Sequence, residues 1–169
     1  MGLTNFNQLP DHARLWAFTS GQKLSEDQQQ LVEATVREFL DGWAAHGADL
    51  TAGAEIVHDR FLLVGVDQDL TAPSGCSIDA MTRFLRDFGN KIGVDFLDSP
   101  NCSFRIGEEI TSVDRATFRK LAEEGKVDSD TTVFDLTVPT VGDLRAGKFE
   151  TSADKTWYAK AFPLSQPTP

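Results

Sequence analysis

The fold is organised around the stretch SEDQQQLVEATVREFLDGWAAHG, which runs from Ser25 to Gly47. Ser25 and Gln28 are spaced as a capping box, in which each side chain bonds the other residue's backbone N–H at the start of a helix. Apolar residues then recur at helical spacing and predict one buried stripe, made of Val32, Val36, Phe39, Leu40 and Trp43. Gly47 predicts the end of this helix, because glycine readily adopts the left-handed conformation of a C-terminal cap.

Two β-rich segments flank the first helix. Residues 14–20 are apolar on both faces, which predicts a strand in the interior of a sheet. Residues 54–67 alternate in polarity and predict one long strand. The charged triplet His58, Asp59 and Arg60 indicates that the first half of this strand is solvated or bent.

The later elements are short and follow one another closely. Strands are predicted at residues 102–106, 109–113, 132–138 and 157–162. Helices are predicted at 114–125, at 140–144 and from Ser74 or Ser77 to about Phe88. The order β-α-β-α-β-β-α-β-α-β suits parallel crossovers early in the chain and antiparallel pairing later. We therefore expect an α+β fold with a mixed β-sheet and helices packed mainly on one face. One domain is expected at residues 1–162, followed by a flexible tail at residues 163–169.

Composition narrows the class of protein. The 169 residues include 26 Asp and Glu against 16 Lys and Arg, which gives a net charge of −10. Such a field repels nucleic acid and anionic membranes, so neither is an expected partner. The chain has no signal-peptide pattern and no apolar run of bilayer length, so we expect a cytoplasmic protein with reduced thiols.

The run Ser74-Gly75-Cys76-Ser77-Ile78-Asp79 is the feature most able to carry chemistry. A helix that begins at Ser74 places Cys76 in its first turn, where unpaired N–H groups and the helix dipole favour a thiolate. The serine hydroxyls and the bare backbone of Gly75 also suit an anion. The same residues suit an ordinary helix start, and cysteine is often a small buried apolar residue.

A cysteine nucleophile needs a base, and the chain has three histidines. His58 is the preferred base, because it could project from a strand beside the second helix. His46 is expected in the last turn of the first helix, where a cation complements the dipole. His12 lies near the N-terminus. Each histidine also suits an ordinary structural role.

Two further patterns resemble ligand sites. Asp67 and Asp69 could hold a metal ion, but a solvated loop is favoured and no metal site is predicted. Residues 142–149 nearly match a phosphate-binding P-loop, but Phe149 occupies the position of the magnesium-binding Ser or Thr. We therefore predict no nucleotide or other cofactor. Asp79 and Arg83 are spaced to form an ion pair on the helix surface.

The sequence resembles a family of small bacterial proteins of unknown function. The runs that carry this resemblance are Arg14-Leu15-Trp16, Trp43-Ala44-Ala45-His46-Gly47, His58-Asp59-Arg60-Phe61, Ser74-Gly75-Cys76-Ser77-Ile78-Asp79, Glu124-Gly125-Lys126-Val127 and Thr132-Val133-Phe134. Members of that family are sometimes labelled ABC-transporter ATPases, a label that the broken P-loop does not support. Residues 104–149 also resemble the GYF-type modules that bind proline-rich peptides, which implies an interaction role.

Three hypotheses follow from the sequence. The favoured one is a binding or interaction protein with a protein or small-molecule partner and no complete catalytic set. The second is a thiol-dependent enzyme or redox-sensitive protein that uses Cys76, with His58 as its base. The third is small-anion binding by Ser74, Gly75 and Ser77, with Asp79 beside them.

Overall fold

A computed structural model describes residues 2–167 of the chain. It has the expected α+β fold in a single domain, with helices and antiparallel sheets. The strands are β1 (Arg14–Thr19), β2 (Ala44–Ala45), β3 (Ala48–Asp49), β4 (Thr51–Val57), β5 (Phe61–Asp67), β6 (Cys102–Ile106), β7 (Glu109–Val113), β8 (Thr132–Phe134) and β9 (Glu150–Ser152). The helices are α1 (Glu26–Asp41), α2 (Gly75–Ile92), α3 (Arg115–Glu123), α4 (Val141–Arg145) and α5 (Tyr158–Ala161).

The first sheet has the order β1-β5-β4, and both of its strand pairs are antiparallel. The predicted single strand at residues 54–67 is wrong, because it is a hairpin that turns at residues 58–60. The interior position expected for residues 14–20 is also wrong. The strand β1 pairs along its length only with β5, which is the central strand. The expected early parallel pairing is absent from the named strands of residues 2–167.

The sequence pattern did not predict the turn at residues 58–60, because this turn contains no glycine. His58 and Asp59 both have positive φ, at 52° and 59°. Asp and His tolerate this region better than most residues, but it still costs free energy. The N–H of Arg60 donates to the carbonyl of Val57 at 3.2 Å and closes the turn.

The helix α1 begins at the predicted capping box, in which Ser25 and Gln28 exchange hydrogen bonds. It ends at Asp41, earlier than Gly47. The short hairpin β2–β3 follows, and His46 and Gly47 occupy its turn with φ of 52° and 78°. The placement of His46 in the last helical turn is therefore wrong.

The second sheet has the order β7-β6-β8-β9 and is also antiparallel. The strand pair around Gly107, the cap of α3 at Asp114 and the cap of α4 at Thr140 are confirmed. The strand β9 was not predicted. The last strand predicted at residues 157–162 is wrong, because α5 forms there instead.

Three apolar clusters hold these elements together. The helices α1 and α2 cover one face of the first sheet, and β5 presents Leu62, Val64 and Val66 to them. The other face of β5 presents Phe61 and Leu63 to a second cluster that includes segments between β8 and β9. A third cluster packs α3 and α5 against the second sheet. The second cluster therefore joins the two sheets.

The chain beyond Phe162 stays attached to the domain for some residues. Leu164 packs on the third cluster, and the carbonyl of Ser165 accepts a hydrogen bond from the N–H of Ser129 at 2.9 Å. The predicted tail at residues 163–169 therefore starts with residues in contact with the body. Its last two residues lie outside the described part of the chain. Within residues 2–167, no helix combines the length and apolar character needed to cross a bilayer.

Candidate functional site

Cys76 is the second residue of α2, and its side chain is exposed. The helix begins with Ser74 as its N-cap, which is the earlier of the two expected starts, and continues to Ile92, beyond the expected end. Gly75 is open, since a Cβ atom added there would meet no other group within 4 Å. The thiol is therefore accessible at the start of the longest helix of residues 2–167.

The serine hydroxyls beside Cys76 are already used within the helix cap. Ser77 N–H donates to Ser74 Oγ at 3.1 Å, and Ser74 N–H donates to Ser77 Oγ at 2.7 Å. Ser77 Oγ also donates to the carbonyl of Ser74 at 2.8 Å. Ser77 is buried, and its own carbonyl accepts from Trp43 Nε1 at 2.8 Å. These bonds fix the start of α2 and use the N–H groups of Ser74 and Ser77 and the hydroxyl of Ser77, so these three donors are not available to an anion.

Asp79 and Arg83 are both exposed on α2. Their expected ion pair is not formed, since no salt bridge joins them among the described residues, whereas nine other acid–base pairs are in contact. Asp79 therefore faces solvent beside Cys76.

His58 and Cys76 lie at opposite ends of the first sheet. His58 is in the turn before β5. Trp43 contacts the start of α2 through its hydrogen bond to Ser77. The carbonyl of Trp43 also accepts a hydrogen bond from the N–H of Leu50, which lies at the far end of β5. At about 3.3 Å per residue, the length of β5 separates these ends by roughly 20 Å. The structure does not bring the proposed base to the proposed nucleophile.

His58 instead lies at the junction of the two sheets. Its Nε2 is 3.0 Å from Glu150 Oε1. Glu150 also accepts two hydrogen bonds from Arg105, at 2.9 Å from Nε and 3.2 Å from Nη2. The Arg105 guanidinium lies over the Phe134 ring at 5.5 Å, and the His58 ring meets the same ring edge-on at 5.4 Å. This network holds the turn of the first sheet against β6 and β9.

Arg60 is the most unusual side chain at this junction. It is 9% exposed, and its guanidinium reaches Ser112 Oγ at 3.3 Å through Nη1. Its Nε–H is buried and has no hydrogen-bond partner among the described residues. No carboxylate of residues 2–167 forms a salt bridge with it. Burial lowers the pKa of Arg60, and the nearby charge of Asp59 acts in the opposite direction.

A cleft of about 430 Å³ opens beside Arg60. Its walls come from the turn at residues 58–60, from the β6–β7 hairpin and from Lys23 before α1. The lining residues are Lys23, His58, Asp59, Arg60, Arg105, Glu108, Glu109 and Ile110. Lys23 Nζ lies 3.8 Å from Asp59 Oδ2, and both of these side chains are half or more exposed. The cleft thus combines an open entrance with one buried, unpaired cation.

The predicted acidic loop gains a histidine in the fold. His12 Nε2 lies 2.7 Å from Asp69 Oδ2 and 3.7 Å from Asp67 Oδ1. Within residues 2–167, these three form the only group with the composition of a metal site. Both His12 and Asp69 are more than half exposed. A surface hydrogen bond between them accounts for this arrangement.

A larger cavity of about 600 Å³ lies beside residues 142–149, the near match to a P-loop. Two of its charged side chains, Asp143 and Lys148, pair with each other at 3.1 Å. The helix α4 has only five residues, and Phe149 is buried in the second cluster. Of the buried side-chain polar atoms in residues 2–167, the one without a hydrogen-bond partner is Nε of Arg60, which lies in the other cleft.

Sequence reasoning missed Arg60, Arg105 and Glu150 as site residues. One signal was present, since the triplet at residues 58–60 interrupts two apolar runs. Such a break is typical of a hairpin turn, and a turn places its side chains at one end of a sheet. No local pattern marks Arg105 or Glu150, because their contact spans 45 residues.

Comparison of this chain with known protein families, with curated proteins and with solved structures gave no match. The functional assignment therefore depends on the site itself.

Proposed function

We propose that this protein binds a small oxyanion, such as a carboxylate or phosphate group, in the cleft beside Arg60. The observation that carries the proposal is the buried Nε–H of Arg60, a side chain that is 9% exposed, which has no hydrogen-bond partner among residues 2–167. This proposal is compatible with the role favoured from the sequence, that of a binding protein without a complete catalytic set.

The energetics of a buried charge support this proposal. An ionised side chain removed from water is strongly destabilising unless an opposite charge and hydrogen bonds compensate it. Arg60 donates one hydrogen bond to a neutral hydroxyl, Ser112 Oγ, at 3.3 Å, and forms no ion pair within the described chain. An oxyanion can accept two parallel N–H bonds from a guanidinium, which is the geometry that arginine is suited to provide.

The surrounding side chains support binding more than catalysis. Glu150 engages both Arg105 and His58, so these two groups form a fixed wall of the cleft. Lys23 is 74% exposed and lies at the entrance. The exposed thiol of Cys76 is at the other end of the first sheet and cannot act on a ligand in this cleft.

Thermal unfolding with sodium acetate and inorganic phosphate as probes tests this function. A ligand that binds only the folded state raises Tm as its concentration rises. We expect acetate and phosphate to raise Tm more than sodium chloride does at equal ionic strength. Arg60→Met should remove it, and Arg60→Lys should weaken it, since lysine keeps the charge but loses the paired donors.

Two matched variants make the result specific. Arg83→Met removes an exposed arginine of α2 and should leave the response unchanged. Ser74→Ala tests the alternative anion site at the start of α2. If Ser74→Ala removes the response and Arg60→Met does not, the binding site is wrongly placed. If neither probe raises Tm above the chloride control, the proposed function is wrong.

Thiol chemistry at Cys76 is a second candidate function, favoured by the exposure of this side chain at the start of α2. Iodoacetamide should then modify Cys76 rapidly at neutral pH. His58→Ala should not change that rate, because the two residues lie at opposite ends of β5. Modification at neutral pH no faster than that of cysteine in an unfolded peptide would exclude an activated thiol.

A further inference from the structure

We infer that the ligand of the Arg60 cleft is zwitterionic, namely a free α-amino acid or a similar amino-carboxylate. This inference rests on the proposed anion site and adds the class of ligand. Its structural basis is the presence of unpaired carboxylates on the wall of the same cleft, formed by the β6–β7 hairpin.

The carboxylates of Glu108 and Glu109 line the cleft and are exposed. Within residues 2–167, neither side chain takes part in a salt bridge or a side-chain hydrogen bond. The carbonyl of Glu108 accepts from Arg105 Nη1 at 2.9 Å, which fixes the hairpin beside the guanidinium network. The Glu108 charge is also close enough to Arg105 to act on it electrostatically. These acids are therefore placed near the cations, and their carboxylates, which make no hydrogen bond of their own within the described residues, remain available to an ammonium group.

The charge balance of the cleft favours a ligand with both signs of charge over a simple dianion. Three cations, Lys23, Arg60 and Arg105, face three carboxylates of the lining, Asp59, Glu108 and Glu109. Glu150 contributes a further negative charge behind Arg105 and His58. The whole chain carries a net charge of −10. A phosphate dianion meets more repulsion from these groups than a carboxylate monoanion does, whereas a neutral zwitterion satisfies both signs of charge at once.

The remaining lining sets the size and polarity of the ligand. A volume of about 430 Å³ accommodates a molecule of amino-acid size with bound water. Ile110 is the one apolar side chain of the lining. A large apolar ligand would find little surface to bury here, so a small or polar side chain is expected.

Isothermal titration with free L-amino acids as probes tests the inference. The amino acid that binds most tightly is then compared with two derivatives. Its N-acetyl derivative lacks the ammonium group, and its amide lacks the carboxylate. We expect each derivative to bind at least about tenfold more weakly, which is the size of one charge-assisted hydrogen bond.

Variants connect each half of the ligand to its wall. The double variant Glu108→Gln, Glu109→Gln should weaken binding of the free amino acid and leave binding of the N-acetyl derivative unchanged. Arg60→Met should abolish binding of both. If the N-acetyl derivative binds the wild-type protein as tightly as the free amino acid, the zwitterion inference is wrong and the anion site stands. If acetate, phosphate and all amino acids fail to bind, both proposals are wrong.

Discussion

His58 Nε2 lies 3.0 Å from Glu150 Oε1, and this contact links the turn between β4 and β5 to the edge strand β9 of the other sheet. Glu150 also accepts hydrogen bonds from Arg105, so this one carboxylate of β9 contacts groups from two other elements, the turn and β6. The wall of the proposed ligand cleft therefore depends on how the two sheets are joined.

Glu150→Gln is expected to loosen this junction. The substitution removes the negative charge that accepts from Arg105, while the side chain keeps its volume. Both partners are about a quarter to a third exposed, so we expect a loss of about 1 kcal/mol in the free energy of unfolding. Urea denaturation measures it. Glu124→Gln breaks a more exposed pair with Lys126 and should give a smaller change. An equal effect of the two variants would show that the junction contributes nothing special.

Alkaline pH is expected to destabilise the fold through Cys102. Burial raises the pKa of Cys102 to about 11, although the charge of Arg115 acts against this. The unfolded thiol ionises near ~8.5, so between that pH and about 11 the unfolded state loses a proton that the folded state keeps. Stability should therefore fall as pH rises through this window. Burial also raises the pKa of Tyr158, which adds to the loss at higher pH.

Urea midpoints at several pH values across that window measure this effect. Cys102→Ala should be less stable at neutral pH but should lose stability less steeply as pH rises. Cys76→Ala is the matched control and should follow the wild type. A Cys102→Ala curve parallel to the wild type would mean that this thiol does not titrate on unfolding.

Phe149→Ala is expected to lower the free energy of unfolding by about 3–5 kcal/mol, because it leaves a cavity in the cluster that joins the sheets. The Phe149 ring lies 5.3 Å from that of Phe61 and 5.6 Å from that of Phe134. Ile106→Ala, at a side chain 64% exposed, should change it by less than about 0.5 kcal/mol. Phe149→Ser, which completes the P-loop pattern, should be destabilising and should confer no nucleotide binding. Tight nucleotide binding by that variant would contradict the structural role of Phe149.

Gly47→Ala tests the hairpin that replaces the expected end of α1. Gly47 has φ of 78°, and a Cβ atom there would meet nothing within 4 Å, so the cost is purely conformational. We expect the free energy of unfolding, measured by thermal or urea denaturation, to fall by about 1 kcal/mol. Gly42 is equally open, but its φ is −104°. Gly42→Ala should therefore cause no such loss, and similar effects of both variants would exclude the conformational explanation.

Helix starts were predictable because their signals are local. Ser25, Ser74, Asp114 and Thr140 each cap a helix by accepting a hydrogen bond from an N–H three residues later. The ends of the helices and the pairing of the strands could not be predicted from local signals. Trp43 continues the apolar stripe of α1 yet lies beyond the helix, because burial in the same cluster produces the same pattern. The turn at residues 58–60 was masked because its positive φ values fall on His and Asp rather than glycine.

The sequence by itself determined the α+β class and the helix caps, since these depend on the order of the elements and on hydrogen bonds within a few residues, whereas the exposure of Cys76 at the start of α2 came from the structure. Only the tertiary structure decided that the cleft beside Arg60 exists. Arg60 meets Ser112 across 52 residues, and Arg105 meets Glu150 across 45. Such contacts form only when the packing of both sheets offsets the entropy of closing the intervening chain, and no local pattern records that balance.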